Sequence, residues 1–158
     1  MPELRHEIGK RHDFDSPGEE AYLNLIRTAS RLEAGFAALF RTCGLSDSSY
    51  NVLRILRAAG AQGRTCGQIQ AHMVVRSDVT RLVDRLVDDG LVRRHRDEQD
   101  RRVVRCRITR QGAALVNQLD APIAELHDWQ LGHMSDGELE ALSRLLERAR
   151  SRPERSES

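Results

Sequence analysis

A chain of 158 residues holds one compact domain, or one small module with helical extensions, and is too short for two full domains. With 39% hydrophobic and 4% aromatic residues it builds a modest core but covers a monomer thinly, so helix exchange with a second copy is expected. The net charge of +1 conceals a gradient: residues 1–63 sum to zero, residues 64–110 to +5 and residues 111–158 to −4. No apolar run approaches the roughly 20 residues of a membrane span. The charged opening MPELRHEIGKRHDFDSPGEE has no apolar segment of the signal-peptide kind, so a cytoplasmic protein is expected.

In chain order, residues 1–16 are polar and read as a flexible arm. Ser16–Pro17 followed by Glu19 and Glu20 is a helix start: a capping serine, proline in the first turn, then acids. Residues 17–44 form that helix, with Leu25, Ala29, Leu32, Phe36 and Leu39 on one stripe and Gly44 as its stop. Ser46 opens a second helix that ends at Gly60, and Thr65 caps a short third one. Ser77–Asp89 then carries Val79, Leu82, Val83, Leu86 and Val87 at helical spacing.

After Gly90 the period changes from helical to alternating. LVRRHR and RRVVRCRI flank the polar turn DEQD and predict a β-hairpin. Thr109 caps a long helix in which Pro122 predicts a kink. Ser135 with Glu138 forms a capping box for the last helix. Residues 111–150 thus supply two C-terminal helices, and residues 151–158 are a polar tail expected to be disordered.

A short helix, a turn, an amphipathic helix and an arginine-rich hairpin make the order of a winged helix-turn-helix, here spanning residues 45–110. The second helix of such a unit docks by an apolar face and offers a polar face to a major groove. That polar face presents Ser77, Thr80, Arg81 and Asp84, with Arg76 at its entrance. Arginine donates in pairs to guanine, while serine and threonine suit base edges or phosphates. The hairpin carries Arg93, Arg94, Arg96, Arg101, Arg102, Arg105 and Arg107. At its tip, Arg101 and Arg102 suit a minor groove, whose negative potential attracts arginine. Arg105 and Arg107, away from the tip, are expected to meet phosphate at most. Arginine enrichment as such follows from codon usage in a GC-rich genome, but codon usage does not cluster arginines.

The run VTRLVDRLVDDGLVRRHRDEQDRRVVRCRITRQGAAL resembles the MarR (multiple-antibiotic-resistance regulator) family of bacterial transcription factors, and YNVLRILRAAG is similar to that family's second helix. The resemblance implies a mostly α-helical fold with a small β-hairpin wing. It implies an interlocked homodimer on a pseudo-palindromic double-stranded DNA operator, with 17–44 and 111–150 as dimerisation helices. It implies repression relieved by a small molecule or by oxidation. The sequence shows no nucleophile elbow, glycine-rich phosphate loop or paired-carboxylate site, so neither an enzyme nor a cofactor is expected. On the matching positions, Thr80 and Arg81 are the recognition-helix pair and Ser77 its small polar residue. Arg102 is the minor-groove arginine, and Asp100 the carboxylate that holds a nearby arginine, with Arg94 or Arg96 as its partner. The departures are Gly67 in the short helix and the MVV run ahead of Arg76.

Six histidines show no metal-ligand spacing, so no metal is expected. Cys43, Cys66 and Cys106 are an odd, scattered set that suits a reducing compartment. An oxidant-sensing repressor using Cys66 or Cys43 is the alternative within the DNA-binding class. A winged-helix module for protein–protein contact is the alternative outside it, and two arginines at the wing tip argue against that. An apolar or phenolic effector would lie between the dimer helices and the lobe, with Tyr50, His127 and Trp129 as polar handles.

Overall fold

The structure is a computed structural model that describes residues 4–97 and 99–151. It has seven α-helices and one hairpin among these residues: α1 Leu4–Glu7, α2 Pro17–Arg41, α3 Asp47–Ala59, α4 Cys66–Ala71, α5 Val79–Asp88, β1 Val92–Arg96, β2 Val104–Ile108, α6 Arg110–Leu131 and α7 Asp136–Arg150. The tail beyond Ser151 and Glu98 of the predicted turn lie outside the described residues.

The predicted caps form as read. Ser16 accepts from the Glu19 amide, Ser46 from the Ser49 amide and Thr65 from the Gln68 amide. Each satisfies one of the amides that a helix start leaves open. Thr65–Gln68 and Ser135–Glu138 close full capping boxes. Thr109 accepts from the Gly112 amide at 3.1 Å, and its hydroxyl bonds back to Gly90 O at 2.8 Å. That side chain ties the start of α6 to the end of α5. Gly112 lets α6 approach so closely, because a Cβ there would meet Leu91 O at 2.3 Å.

The chain divides into two compact units, the first ending at Pro122 and the second beginning at Ile123. In the first, Val52, Leu53 and Leu56 of α3, Ile69 of α4, Val83 of α5, Cys106 of β2 and Val116 of α6 have no accessible surface. Each fully buried Leu or Ile stabilises by about 1.5–3 kcal/mol relative to exposure. Phe40 of α2 stacks on Tyr50 of α3 with ring centroids 4.4 Å apart. The antiparallel hairpin pairs Val92 with Ile108, Arg94 with Cys106 and Arg96 with Val104. In the second unit no described residue is buried, and Trp129, Leu142 and Leu145 are exposed.

Two expectations need correction. The opening arm holds a short helix, α1, whose Leu4 is buried. Its charges are matched in pairs, Arg5 with Asp13, Lys10 with Glu19 and Glu7 with Arg27, which a composition reading counts only as polarity. The helix expected from Ser77 begins at Val79, because Asp78 and not Ser77 is the cap, accepting from the Arg81 amide at 3.2 Å. Pro122, where the sequence predicts a kink, lies within α6, which spans Arg110–Leu131.

A candidate nucleic-acid interface

Helix α5 is amphipathic for a simple reason. Val79, Val83 and Leu86 fall on one side and are buried, while Thr80, Arg81, Asp84 and Arg85 fall on the other and are exposed. Its polar side meets α3 at the entrance: Ser77 Oγ and Ser48 Oγ lie 3.2 Å apart. Ser46, Ser48, Ser77, Asp78, Arg81 and Arg85 line one groove of about 470 Å³ with Leu82. The structure thus brings Ser77 and Arg81 together, with Arg76 and Thr80 exposed beside them. Ser48 and Arg85 were missed by the sequence reading. Arg85, one turn beyond Arg81, was visible by spacing, whereas Ser48 is 29 residues from Ser77 and only folding joins them.

The wing turn is wired by two carboxylates. Asp97 accepts from the Gln99 amide at 2.9 Å, the Asp100 amide at 3.1 Å and the Arg105 guanidinium. Asp100 accepts from the Arg102 amide at 2.9 Å, and its carbonyl accepts from the Val103 amide. The Arg105 guanidinium, followed by the two amides, holds the Asp97 carboxyl down at about 2. Arg101 and Arg102 stand exposed at the tip.

These contacts distribute the arginines differently from expectation. Asp100 acts on Arg102 through its backbone and takes neither Arg94 nor Arg96 as a side-chain partner. Arg94 instead reaches Asp84 on α5, a 2.5 Å contact that raises the pKa of its guanidinium. Asp100 is occupied by the turn it closes, while Asp84, ten residues before Arg94, lies on the helix that directly precedes β1. Arg96 is exposed on β1. Asp97, missed as a site residue, has the signal D-x-x-D, two acids at the spacing of a tight turn.

The outer face of the hairpin is cationic. His95 opposes Arg105 across the strands, and Arg93 opposes Arg107. Burial, with Arg107, Arg93 and Arg105 nearby, pushes the His95 ring below its ordinary value. Among the expected effector handles, Tyr50 is packed on Phe40 in the first unit, and burial raises its hydroxyl pKa. His127 and Trp129 belong to the second unit, with Trp129 exposed. Among the described residues no three His, Cys, Asp or Glu side chains gather as a metal site, and no helix is long and apolar enough to cross a membrane.

Comparison with known proteins bears on this geometry directly. The MarR family profile matches residues 45–104, which hold α3 to the start of β2. PecS of Dickeya dadantii, an HTH-type transcriptional regulator, is 30% identical over 70% of this chain and 68% of its own. The chain belongs to the MarR family. Like other members it is a DNA-binding transcription regulator of the winged-helix type and not an enzyme. IacR of Pseudomonas putida, an HTH-type transcriptional repressor, is 27% identical over 87% of this chain and 86% of its own. A MarR transcription factor from Planctomyces limnophilus is 42% identical, with a TM-score of 0.66 over 85% of this chain and 98% of that one. The fold alone is shared with S. aureus MepR, solved as a DNA complex (22% identity, TM-score 0.73), and with Bordetella bronchiseptica BpsR (23%, 0.75).

Proposed function

We propose that this MarR-family regulator is a homodimeric repressor that binds a pseudo-palindromic operator and is released by a small, mainly apolar ligand. The observation that carries the reading is the division of labour among the arginines. Arg94 and Arg105 are fixed by Asp84 and Asp97, which orders the lobe, while Arg76, Arg81, Arg101 and Arg102 are exposed on the helix and tip that would face DNA. In this reading Ser77, Thr80 and Arg81 meet base edges or phosphates in a major groove, and Arg102 enters the adjacent minor groove.

Dimerisation is supported by apolar residues that one copy leaves in water. Leu25 and Ile26 of α2 and Leu142 and Leu145 of α7 are exposed on the helices expected to interlock. A ligand-responsive switch is supported by analogy only: BpsR's DNA binding is regulated by 6-hydroxynicotinic acid. The test is selection from a randomised duplex library followed by light scattering of the free protein. Enrichment of a two-fold site by a dimer supports the reading. A monomer near 18 kDa, or no sequence enriched, overturns it.

A further inference from the structure

Side chains alternate across the hairpin, so its two faces differ. Val92, Arg94, Cys106 and Ile108 share one face, where Cys106 has no accessible surface and Arg94 reaches Asp84 of α5. Arg93, His95, Arg105 and Arg107 share the other. There His95 lies opposite Arg105, and Arg93 lies directly opposite Arg107, a like-charge pair that destabilises the strands. A third segment walls this face. Arg64 and Cys106 form an antiparallel bridge, exchanging N–H···O bonds of 3.0 and 2.7 Å, which sets Gln62 and Gly63 beside β2. Gly63 has a φ of +63°, and a Cβ there would meet Arg107 Cγ at 2.8 Å, so the arginine stem lies against the glycine. Gln62, His95, Asp97, Gln99, Arg105 and Arg107 line a recess of about 330 Å³.

Of these side chains, His95 Nδ1, His95 Nε2 and Arg107 Nε are buried and have no hydrogen-bond partner among the described residues. Buried polar atoms in folded chains are nearly always bonded, so an unbonded cluster beside a recess points to a ligand. Asp97 does not serve them, because its carboxylate is held by the Arg105 guanidinium and by the Gln99 and Asp100 amides. We propose that this recess, on the outer face of the wing, is a binding site for one small tetrahedral oxyanion: inorganic phosphate or a compact phosphate monoester.

The lining suits that class of ligand. The planar Arg107 guanidinium matches two oxygens of one phosphate, and the Gln62 amide and the His95 ring add further donors. Three arginines and one carboxylate surround His95, so the balance of charge favours a dianion, which would also offset the Arg93–Arg107 repulsion. Burial, then Arg107, Arg93 and Arg105, hold the His95 ring below its ordinary value, with Asp97 opposing them. An anion beside the ring favours its charged form, so binding raises the His95 pKa. The recess is at the small end of the range for ligand pockets, which excludes a bulky organic part. Duplex DNA is the other source of phosphate and fits less well. The recess opens on the face of the hairpin opposite the one that meets α5, and a duplex lying along α5 would not cover it.

The experiment titrates the full-length protein with inorganic phosphate by calorimetry, with ionic strength held constant by chloride, and follows the His95 ring by NMR. Saturable binding of one phosphate per chain is expected. Phosphate itself ionises near neutrality, so the His95 pKa is read with and without sulfate, which stays a dianion; it should rise with sulfate. That reading needs no variant, so it does not depend on any variant folding. Arg107→Gln should weaken phosphate binding at least about tenfold, the scale of a lost charged hydrogen bond. Arg107→Lys, which keeps the charge without the fork, should recover part of it. Arg148→Gln removes the same charge from exposed α7 and should change nothing. No saturable binding, equal binding by Arg107→Gln, or a His95 ring that responds to chloride as it does to sulfate would overturn the proposal. These titrations contain no DNA, so they stand apart from the operator reading. In a final arm, a duplex of unrelated sequence should bind without displacing phosphate. Displacement, with a lower salt slope for Arg107→Gln, would assign the recess to the DNA backbone and overturn the free-anion site.

Discussion

The Asp84 carboxylate, on the solvent side of α5, accepts a hydrogen bond at 2.5 Å from the Arg94 guanidinium of β1. One polar contact thus joins the two parts of the lobe that carry the exposed arginines. Both side chains are more than one-third exposed, so water screens the pair and its share of stability is small. Its effect is on geometry, because it fixes the distance between helix and hairpin.

Asp84→Ala should therefore lower unfolding free energy by no more than about 1 kcal/mol while weakening DNA binding more than that. Urea titrations and fluorescence anisotropy on an operator duplex measure the two. A loss of stability with unchanged affinity would show the contact to be merely structural.

The wing turn makes a pH prediction. The Asp97 carboxyl titrates at about 2 in the folded chain against an ordinary 3.8, so its pKa is depressed by folding. A depressed acid contributes stability that is complete above its ordinary value and fades as pH falls toward the folded one. The hairpin should accordingly lose this contribution between about pH 4 and pH 2. Asp97→Asn should be less stable than wild type at neutral pH, with the gap closing across that window. Carboxyl-carbon NMR of Asp97 gives a direct reading, and a midpoint near 3.8 would refute the argument.

How far these features were legible in the sequence depends on their range. Caps at Ser16, Ser46, Thr65 and Ser135 involve partners three residues away and were read correctly. The stripe Val79, Val83 and Leu86 was equally local. The Asp84–Arg94 pair spans ten residues and a change of element, and the Arg64–Cys106 bridge spans more than forty. Neither leaves a periodic trace. The start of α5 was missed for a different reason: Ser77 and Asp78 are both good caps, and only the Ser77–Ser48 contact shows which one is used elsewhere.

Helix α3 is joined to α6 by Arg57, which donates to both carboxylate oxygens of Asp120 at 2.7 and 2.9 Å and to Asn117 Oδ1 at 2.9 Å. A fork of this kind is geometrically specific in a way that a lysine contact is not. Arg57→Met and Asp120→Asn should each destabilise the protein, and the double variant should cost less than the two combined. Additive losses in thermal unfolding would mean that the pair is not coupled.

At the wing tip, Asp100 positions Arg102 by accepting its amide, so the two residues should fail together. Arg102→Ala should weaken operator binding by about 1–3 kcal/mol, the scale of one good specific contact. Asp100→Ala should weaken it as well, and Asp100→Asn, which keeps an acceptor for the amide, should recover most of the loss. If Asp100→Asn behaves like alanine, charge and not turn geometry is what matters there.

Arg81 and Arg105 separate two ways in which an arginine can affect DNA binding. Arg81 is exposed on the helix face beside Ser77 and Thr80, where base edges would lie. Arg105 was expected to meet phosphate from the outer face of the hairpin, but its guanidinium is held by Asp97 and only part of it is exposed. Removing a base reader relaxes preference at one position, whereas removing a phosphate contact weakens all sequences alike and lowers the salt slope by about one unit. Arg81→Ala should flatten one base preference in each half-site, at points about 10 base pairs apart or a multiple of that, since a dimer reads symmetrically. Arg105→Ala should leave both the preference and the salt slope nearly unchanged and instead loosen the turn, raising the Asp97 pKa. Affinities for a randomised operator library at two salt concentrations distinguish the cases. A uniform loss for Arg81→Ala would make it a backbone anchor and pass the sequence reading to Ser77, Thr80 and Arg76. A lower salt slope for Arg105→Ala would mean that Asp97 releases it to DNA.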